Sequence, residues 1–205
     1  MTPQEIYNTL KAYAPRETNI CELHSACSPH KHKIFRCGQP GSRHNVLDFD
    51  AIKDKFAVEN GEPPMKSADA ATVTPNGKRF CFIELKSWTL AIKYARNETE
   101  IKDKGQKFEA QLPEKLRDSI AISKAICRSD NAFEEGSLGY ILLTDISVEE
   151  NGIEAFASDL FNLAESSSNW IKLCNRLSRD IMNGIQDVET YYWECRDFDK
   201  KIASI

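Results

Sequence analysis

The sequence predicts an α/β domain with a mixed central β-sheet flanked by helices. A clear hairpin pattern lies within residues 65–88. Along the rest of the chain, apolar segments of strand length alternate with amphipathic segments of helical period. The resulting order is helix, hairpin, helix, strand, helices, strand, which is the order of a sheet with helices packed on it.

Composition agrees with this fold class. The chain has 205 residues, of which 41% are hydrophobic and 28% charged, a balance typical of a globular domain. No apolar run approaches the roughly 18 residues of a membrane span, and the first residues lack the pattern of a signal peptide. Seven cysteines do not suggest a secreted disulfide scaffold. We therefore expect a cytoplasmic protein that does not associate with membranes.

Two helices are expected in the N-terminal part. In TPQEIYNTLKAYA, Thr2 suits the N-cap and is followed by proline, glutamate and helically spaced apolar residues. Residues 15–45 are expected to be irregular because they contain all four histidines and several prolines and glycines. A second helix is expected over roughly 48–59, ending before Asn60-Gly61.

The hairpin follows. MKSADAATV predicts a short strand and RFCFIELKSW the returning strand. Between them, TPNGK predicts a tight turn, because Pro75 suits its first central position while Asn76 and Gly77 tolerate positive φ.

The C-terminal half contains alternating helices and strands. Residues 93–111 are dense in charge and predict either a mobile loop or a solvated helix; Pro113 then begins a helix to about Cys127. LGYILLTDIS predicts a strand, and NGIEAFASDLFNLAES and NWIKLCNRLSRDIMNGI predict two amphipathic helices separated by a serine run. YYWECRDFD predicts the last strand. The cysteines expected in the core are Cys81, Cys127, Cys174 and Cys195.

The returning strand carries two charges among its apolar residues. Side chains alternate along a strand, so Glu84 and Lys86 share one face and lie about 6.6 Å apart. Each charge needs a partner, since burying an unpaired charge costs several kcal/mol. One interpretation is a Glu84–Lys86 salt bridge at a strand end that water reaches.

Asp69 supports a second interpretation. Pairing across the turn brings it beside the end of the strand that carries Glu84 and Lys86. Two converging carboxylates make a hard-oxygen site suited to Mg²⁺ or Mn²⁺, and the carbonyl of Leu85 is a candidate third ligand. A lysine beside such an ion can lower the pKa of a water or stabilise a developing phosphorane charge.

The motif S-A-D-A followed by F-I-E-L-K on a strand resembles that of the PD-(D/E)XK nuclease-like superfamily, also called restriction-endonuclease-like. The resemblance implies an α-β-β-β-α-β core over about residues 45–146. The N-terminal helix and Cys-His segment and a C-terminal helical extension would complete a single domain of residues 1–205. The resemblance also implies that Asp69 and Glu84 hold the metal while Lys86 assists the attacking water. Ala68 stands where the family pattern has proline.

Two further positions are implied by the family and stay open here. The first is a carboxylate from the first helix, with three candidates: Glu5, Glu22 and Glu59. The second is a polar residue from the helix after the motif, where Lys115 and Ser119 lie one turn apart. These two residues either face the site or belong to a solvated helix face.

The resemblance implies a metal-dependent nuclease that hydrolyses phosphodiester bonds, as an endonuclease or an exonuclease, with DNA as the expected substrate. Restriction, repair or phage defence are the expected settings. Because the net charge is −4, target recognition is expected to come from a homodimer or a companion protein. The alternative is a non-catalytic interaction subunit of nuclease-like fold, which the pI of about 5.7 favours.

A third hypothesis, a zinc-binding protein, concerns CELHSACSPHKHKIFRC. This segment combines thiols and imidazoles, the ligand types that zinc prefers: Cys21, His24, Cys27, His30, His32 and Cys37. Their spacing matches no common zinc finger. The alternative is a loop of small buried thiols and exposed imidazoles. The basic residues in and just after this segment are either phosphate contacts or solvated charges: Lys31, Lys33, Arg36 and Arg43.

Overall fold

The computed structural model describes residues 1–23, 41–63, 65–148 and 166–205. In these ranges the chain forms one six-stranded mixed sheet with helices packed on both faces, which confirms the predicted α/β class. None of the helices in the described ranges is long and apolar enough to cross a membrane.

The elements are named here in chain order. The strands are β1 Glu17–Thr18, β2 Val46–Asp48, β3 Ala70–Val73, β4 Phe80–Lys86, β5 Leu138–Thr144 and β6 Glu189–Glu194. The helices are α1 Pro3–Tyr13, α2 Ile20–Leu23, α3 Phe49–Asn60, α4 Trp88–Tyr94, α5 Glu98–Cys127, α6 Ser166–Asn183 and α7 Phe198–Ile202. A 3₁₀ turn, Cys195–Asp197, joins β6 to α7.

The spatial order of the strands equals their order along the chain. Strands β1 to β4 are antiparallel neighbours, whereas β4, β5 and β6 run parallel. Parallel neighbours need a crossover connection, and α5 provides it between β4 and β5. The long helix is therefore held across the sheet beside the strand that carries Glu84.

Helices cover both faces of the sheet. Helices α1, α3 and α5 bury one face around Leu10, Phe82 and Tyr140, while α2 and α7 bury the other around Ile83 and Phe198. All seven residues of β5 are buried, as expected for a parallel strand with helices on both sides. A third cluster joins α4 to α6 through buried residues that include Trp88, Leu173 and Cys174.

The N-terminal predictions are confirmed in part. Thr2 caps α1 and forms a capping box with Glu5. The expectation that residues 15–45 are irregular was wrong for β1 and α2. Residues 24–40 of this segment lie outside the described ranges. Strand β2 was missed because three residues are too few to show alternation, and its last residue, Asp48, is the N-cap of α3.

Helix α5 is longer than predicted. It begins at Glu98 after its N-cap Asn97, so the charged segment is a solvated helix and Pro113 lies inside the helix instead of beginning it. Its buried residues recur every three or four positions, from Ile101 to Leu116, and hold the helix on the sheet. The exposed position of Pro113 keeps its ring out of the core, although one helical hydrogen bond is lost.

The C-terminal predictions have mixed outcomes. The strand in LGYILLTDIS and the helix in NWIKLCNRLSRDIMNGI are confirmed, but the serine run is the first turn of α6 and not a separator. The last strand ends at Glu194, because Phe198 and Ile202 turn the chain back onto the sheet. Helix NGIEAFASDLFNLAES falls almost entirely outside the described residues. Of the four cysteines predicted in the core, Cys127 is half-buried. The other three are buried: Cys81, Cys174 and Cys195.

Candidate metal site at the end of the hairpin

The hairpin brings Asp69 to Glu84, as the sequence predicts. Asp69 lies directly before β3, and its N–H donates to the carbonyl of Ile83 on β4 over 3.0 Å. Its carboxylate Oδ2 accepts a hydrogen bond of 2.6 Å from the N–H of Leu85. The backbone of β4 therefore fixes both the position and the orientation of this carboxylate.

Glu84 is the buried member of the pair. Its side chain is only 4% exposed, and Oε1 accepts a hydrogen bond of 2.6 Å from Lys115 Nζ on α5. The other oxygen, Oε2, is buried and has no hydrogen-bond partner among the described residues. A buried carboxylate oxygen without a partner is costly, so this atom requires a cation, a water or a proton.

Lys115 lies between the two carboxylates. Besides its contact with Glu84, its Nζ is 3.6 Å from Asp69 Oδ1. One turn further along α5, the buried hydroxyl of Ser119 accepts a hydrogen bond of 2.9 Å from the N–H of Ala68 and donates to the carbonyl of Lys115. Both α5 positions thus face the site and are not part of a solvated face.

Lys86 does not form the salt bridge with Glu84 that one interpretation of the sequence predicts. Its Nζ lies 4.3 Å from the centroid of the Phe108 ring and 4.9 Å from that of Trp88. In the described part of the chain the ion pair of Glu84 is with Lys115, not with Lys86. The motif lysine is therefore held by two aromatic rings next to the carboxylates.

The electrostatics of the site follow from burial. Burial raises the pKa of Glu84 to about 8, and the charge of Asp69 adds to this effect while Lys115 opposes it. Burial also raises the pKa of Asp69. Burial acts to lower the pKa of Lys115, but the charges of Glu84 and Asp69 outweigh it and raise that pKa. The pKa of Lys86 is lowered, mainly by burial, with repulsion from Lys115 and Lys104 contributing. Two poorly solvated carboxylates thus compete for one ammonium, an environment that favours a further cation.

A third carboxylate near the site was missed in the sequence. Asp50, in the first turn of α3, accepts a hydrogen bond of 2.8 Å from Ser67 Oγ, and its charge contributes to the raised pKa of Asp69. The place of Asp50 depends on the pairing of β2 with β3. This pairing could not be predicted from the sequence, because β2 is only three residues long. The strand-like residues VLD, which end two positions before Asp50, are the one signal in the sequence for its place.

The three glutamates considered for this role make their contacts elsewhere. Each has its own hydrogen-bond partner: Glu5 bonds Thr2, Glu22 bonds Thr18 and Asn19, and Glu59 bonds Tyr13. The acidic residue next to the site therefore comes from the helix that follows β2 and not from α1.

Tyr140 is a second residue that sequence reasoning missed. It pairs in register with Phe82 on the neighbouring parallel strand, and its hydroxyl is buried with no partner within the described ranges. Burial and the charges of Glu84 and Asp69 raise its pKa. No local pattern identifies such a residue, because the register of a parallel pair is set by distant parts of the chain.

The donor atoms suit a divalent ion. Asp69 and Glu84 supply carboxylate oxygens, and Glu84 Oε2 needs a partner. The N–H of Leu85 points to Asp69, and because the N–H and carbonyl of one strand residue point to the same side, the Leu85 carbonyl faces that side as well. Such an all-oxygen set fits Mg²⁺ or Mn²⁺. The described residues contain no group of three or more acidic, histidine or cysteine side chains that would form a protein cage, so an ion would retain several waters.

The zinc hypothesis is not tested by the structure. Cys21 is buried in α2, whereas the other thiols and imidazoles of its segment lie between residues 24 and 40, outside the described ranges. Lys31, Lys33 and Arg36 lie there as well, and Arg43 is exposed.

Comparisons with known protein families, with characterised proteins and with solved structures found no significant match to this chain. Its function therefore has to be argued from the fold and from the geometry of this site.

Proposed function

We propose that this chain is a metal-dependent nuclease that hydrolyses phosphodiester bonds in DNA, with Mg²⁺ or Mn²⁺ as its cofactor. One observation carries the proposal. Asp69 and Glu84 converge at the end of a hairpin, within contact of a shared cation, the ammonium of Lys115. Converging, poorly solvated carboxylates of this kind are suited to holding a hard divalent ion.

The strand arrangement supports a restriction-endonuclease-like core. An α-β-β-β-α-β order can be traced through α1, the antiparallel strands β2, β3 and β4, the long helix α5 and the parallel strand β5, although α1 lies before residue 45, where the resemblance implies that the core begins. Helix α3 is an insertion between β2 and β3, and β6 extends the sheet at its other edge. The places of the motif residues also support the proposal: Asp69 directly precedes β3, and Glu84 and Lys86 lie at the end of β4, the other strand of the hairpin.

The chain's own residues have distinct tasks in this proposal. Asp69 and Glu84 would hold the ion, and the N–H of Leu85 fixes the orientation of the Asp69 carboxylate. The ion, when bound, lowers the pKa of a coordinated water and balances the charge that develops on the phosphate. Lys86, whose pKa is lowered by burial, is suited to exchanging a proton with the attacking water at its Nζ. The ammonium of Lys115 adds positive charge beside the scissile phosphate.

The net charge of −4 bears on how a substrate is selected. An acidic chain does not hold a DNA duplex through bulk electrostatics alone. We therefore assign target recognition to a second copy of the chain or to a companion protein, in a setting of restriction, repair or defence against phage.

Cleavage of DNA tests the proposal. Plasmid and single-stranded DNA are incubated with the protein in Mg²⁺, Mn²⁺ or EDTA, beside Asp69→Asn and Glu84→Gln, which keep side-chain shape but remove the charge. Each substitution is expected to lower the cleavage rate by about 100-fold or more. Glu59→Gln is the matched control, because Glu59 bonds Tyr13 away from the site. Cleavage that persists in EDTA or in Glu84→Gln would rule the assignment out.

One observation favours the alternative, a non-catalytic interaction subunit. Lys115 already pairs with both carboxylates, as it would in a buried ion cluster that holds α5 to the sheet. The apolar face of α6 does not support this alternative, since Leu173 and Cys174 pack inside the chain in one cluster with Trp88. A non-catalytic subunit would melt at the same temperature with and without Mg²⁺ or Mn²⁺, whereas a metal site predicts stabilisation by the ion.

A further inference from the structure

We propose that Lys115 is an internal cation that the divalent metal displaces when it binds, so that this lysine sets the affinity of the site for metal. The inference rests on the proposed metal site and adds a regulatory role for one side chain. It distinguishes Lys115 from the motif lysine, Lys86, which stays in place.

The contacts of Lys115 involve the same two carboxylates that would hold the ion. Its Nζ donates to Glu84 Oε1 at 2.6 Å and lies 3.6 Å from Asp69 Oδ1. An ion bridging Asp69 and Glu84 would lie close to this ammonium. Two cations at such a distance repel each other strongly in a poorly solvated site, so metal and ammonium exclude one another.

The carboxylates are fixed, whereas the ammonium can move. Asp69 is held by the N–H of Leu85 through its side chain and by Ile83 through its backbone. Ser119 anchors the preceding residue, Ala68, to α5. Lys115, in contrast, reaches the site from a long flexible stem whose side chain is 20% exposed, with a route to solvent.

Lys86 provides an internal comparison. Its ammonium stands over the rings of Phe108 and Trp88 and forms no ion pair with Glu84 or Asp69 within the described residues. A metal ion between the carboxylates would not occupy the place of the Lys86 ammonium. The two lysines therefore differ in a measurable way, since only Lys115 competes with the ion.

Displacement links metal binding to substrate binding. A lysine that leaves the carboxylates remains within one side-chain length of them and retains its charge. A strongly hydrated ammonium in that position is suited to an oxygen of a backbone phosphate. Metal entry would thus release the cation that contacts the phosphodiester.

Calorimetric titration of Mn²⁺ alone into the wild-type protein, Lys115→Met and Lys86→Met tests this inference. Methionine keeps much of the side-chain length without the charge. We expect Lys115→Met to bind Mn²⁺ with a Kd at least about tenfold lower than the wild type, and Lys86→Met to change the Kd much less. An unchanged or weaker affinity in Lys115→Met would overturn the proposal.

A second measurement covers the case in which Lys115→Met does not fold. In wild-type protein labelled with ¹³C-lysine, the Cε resonance of Lys115, identified by its loss in Lys115→Arg, is expected to shift on addition of Mg²⁺ more than that of Lys86. A Lys115 resonance that stays in place while the ion binds contradicts displacement. If no protein binds metal, the inference and the metal site both fail; if metal binds as expected but DNA is not cleaved, only the nuclease function fails.

Discussion

Lys115 Nζ on helix α5 donates a hydrogen bond of 2.6 Å to the buried carboxylate of Glu84 on strand β4. This contact exists because α5 is the crossover between two parallel strands and is held over the face from which Glu84 projects. The site is therefore built by a local hairpin and completed by a distant helix. Its chemistry depends on both.

The first prediction concerns Glu84 and pH. In the folded protein without metal, burial raises the pKa of Glu84 from 4.5 to about 8. Between these two pH values the folded state therefore keeps a proton on Glu84 that the unfolded chain has lost. The folded state then binds more protons, and the free energy of unfolding should fall by a few kcal/mol as the pH rises from about 5 to about 8. Urea denaturation at a series of pH values measures this decrease.

The decrease should be largely absent in Glu84→Gln, which cannot ionise, and unchanged in Glu59→Gln. Saturating Mg²⁺ should also reduce it in the wild type, because the ion favours the ionised carboxylate. A pH profile of Glu84→Gln that parallels the wild type would show that the carboxyl of Glu84 titrates normally.

The second prediction concerns the two buried serines of α5. Ser119→Ala leaves the N–H of Ala68 without its acceptor, so it should lower the free energy of unfolding by about 1–3 kcal/mol. It should also weaken Mn²⁺ binding, because Asp69 follows Ala68. Ser123→Ala is the matched control: its hydroxyl is buried with no partner among the described residues, so its removal should be neutral or stabilising. Equal losses in the two variants would show that the Ser119 bond does not position the site.

The third prediction concerns Lys86. Lys86→Met removes a charge that burial disfavours and leaves an apolar side chain against Phe108 and Trp88, so the thermal midpoint should stay the same or rise. Cleavage of DNA should nevertheless fall by about 100-fold, because the proton-exchanging amine is lost. A stable Lys86→Met protein that cleaves at the wild-type rate would exclude Lys86 from the reaction.

The fourth prediction concerns the connection between the start of α4 and α6. Trp88 Nε1 donates a hydrogen bond of 2.8 Å to Ser178 Oγ, and both side chains are fully buried. Ser178→Ala should lower the free energy of unfolding by about 1–3 kcal/mol, since the indole N–H is left unsatisfied. The double variant with Trp88→Phe should lose less than the sum of the two single losses. Additive losses would show that this bond does not couple the two elements.

The predictable part of the fold is the local part. The TPNGK turn sets the register of the hairpin, so the meeting of Asp69 with the end of β4 followed from nearby residues alone. The apolar periods of α1 and α6 and the continuous apolar run of β5 were equally readable. Pro113 misled the prediction of α5, because tertiary packing of its buried face outweighs the cost of one proline.

The remaining site residues depend on contacts that are distant in sequence. The sequence does not decide whether Lys115 faces the site or solvent, because the position of α5 over the sheet follows from the crossover. Asp50 depends on a three-residue strand, and Tyr140 on the register of a parallel pair. Neither leaves a periodic pattern in the sequence.

The most direct measurement is the anomalous scattering of a crystal grown with Mn²⁺. We expect a single strong anomalous peak from an ion coordinated by Asp69 and Glu84, with Lys115 withdrawn from both carboxylates and Lys86 still against its aromatic rings. A crystal at high Mn²⁺ concentration with no peak there, and with Lys115 still bound to Glu84, would contradict it.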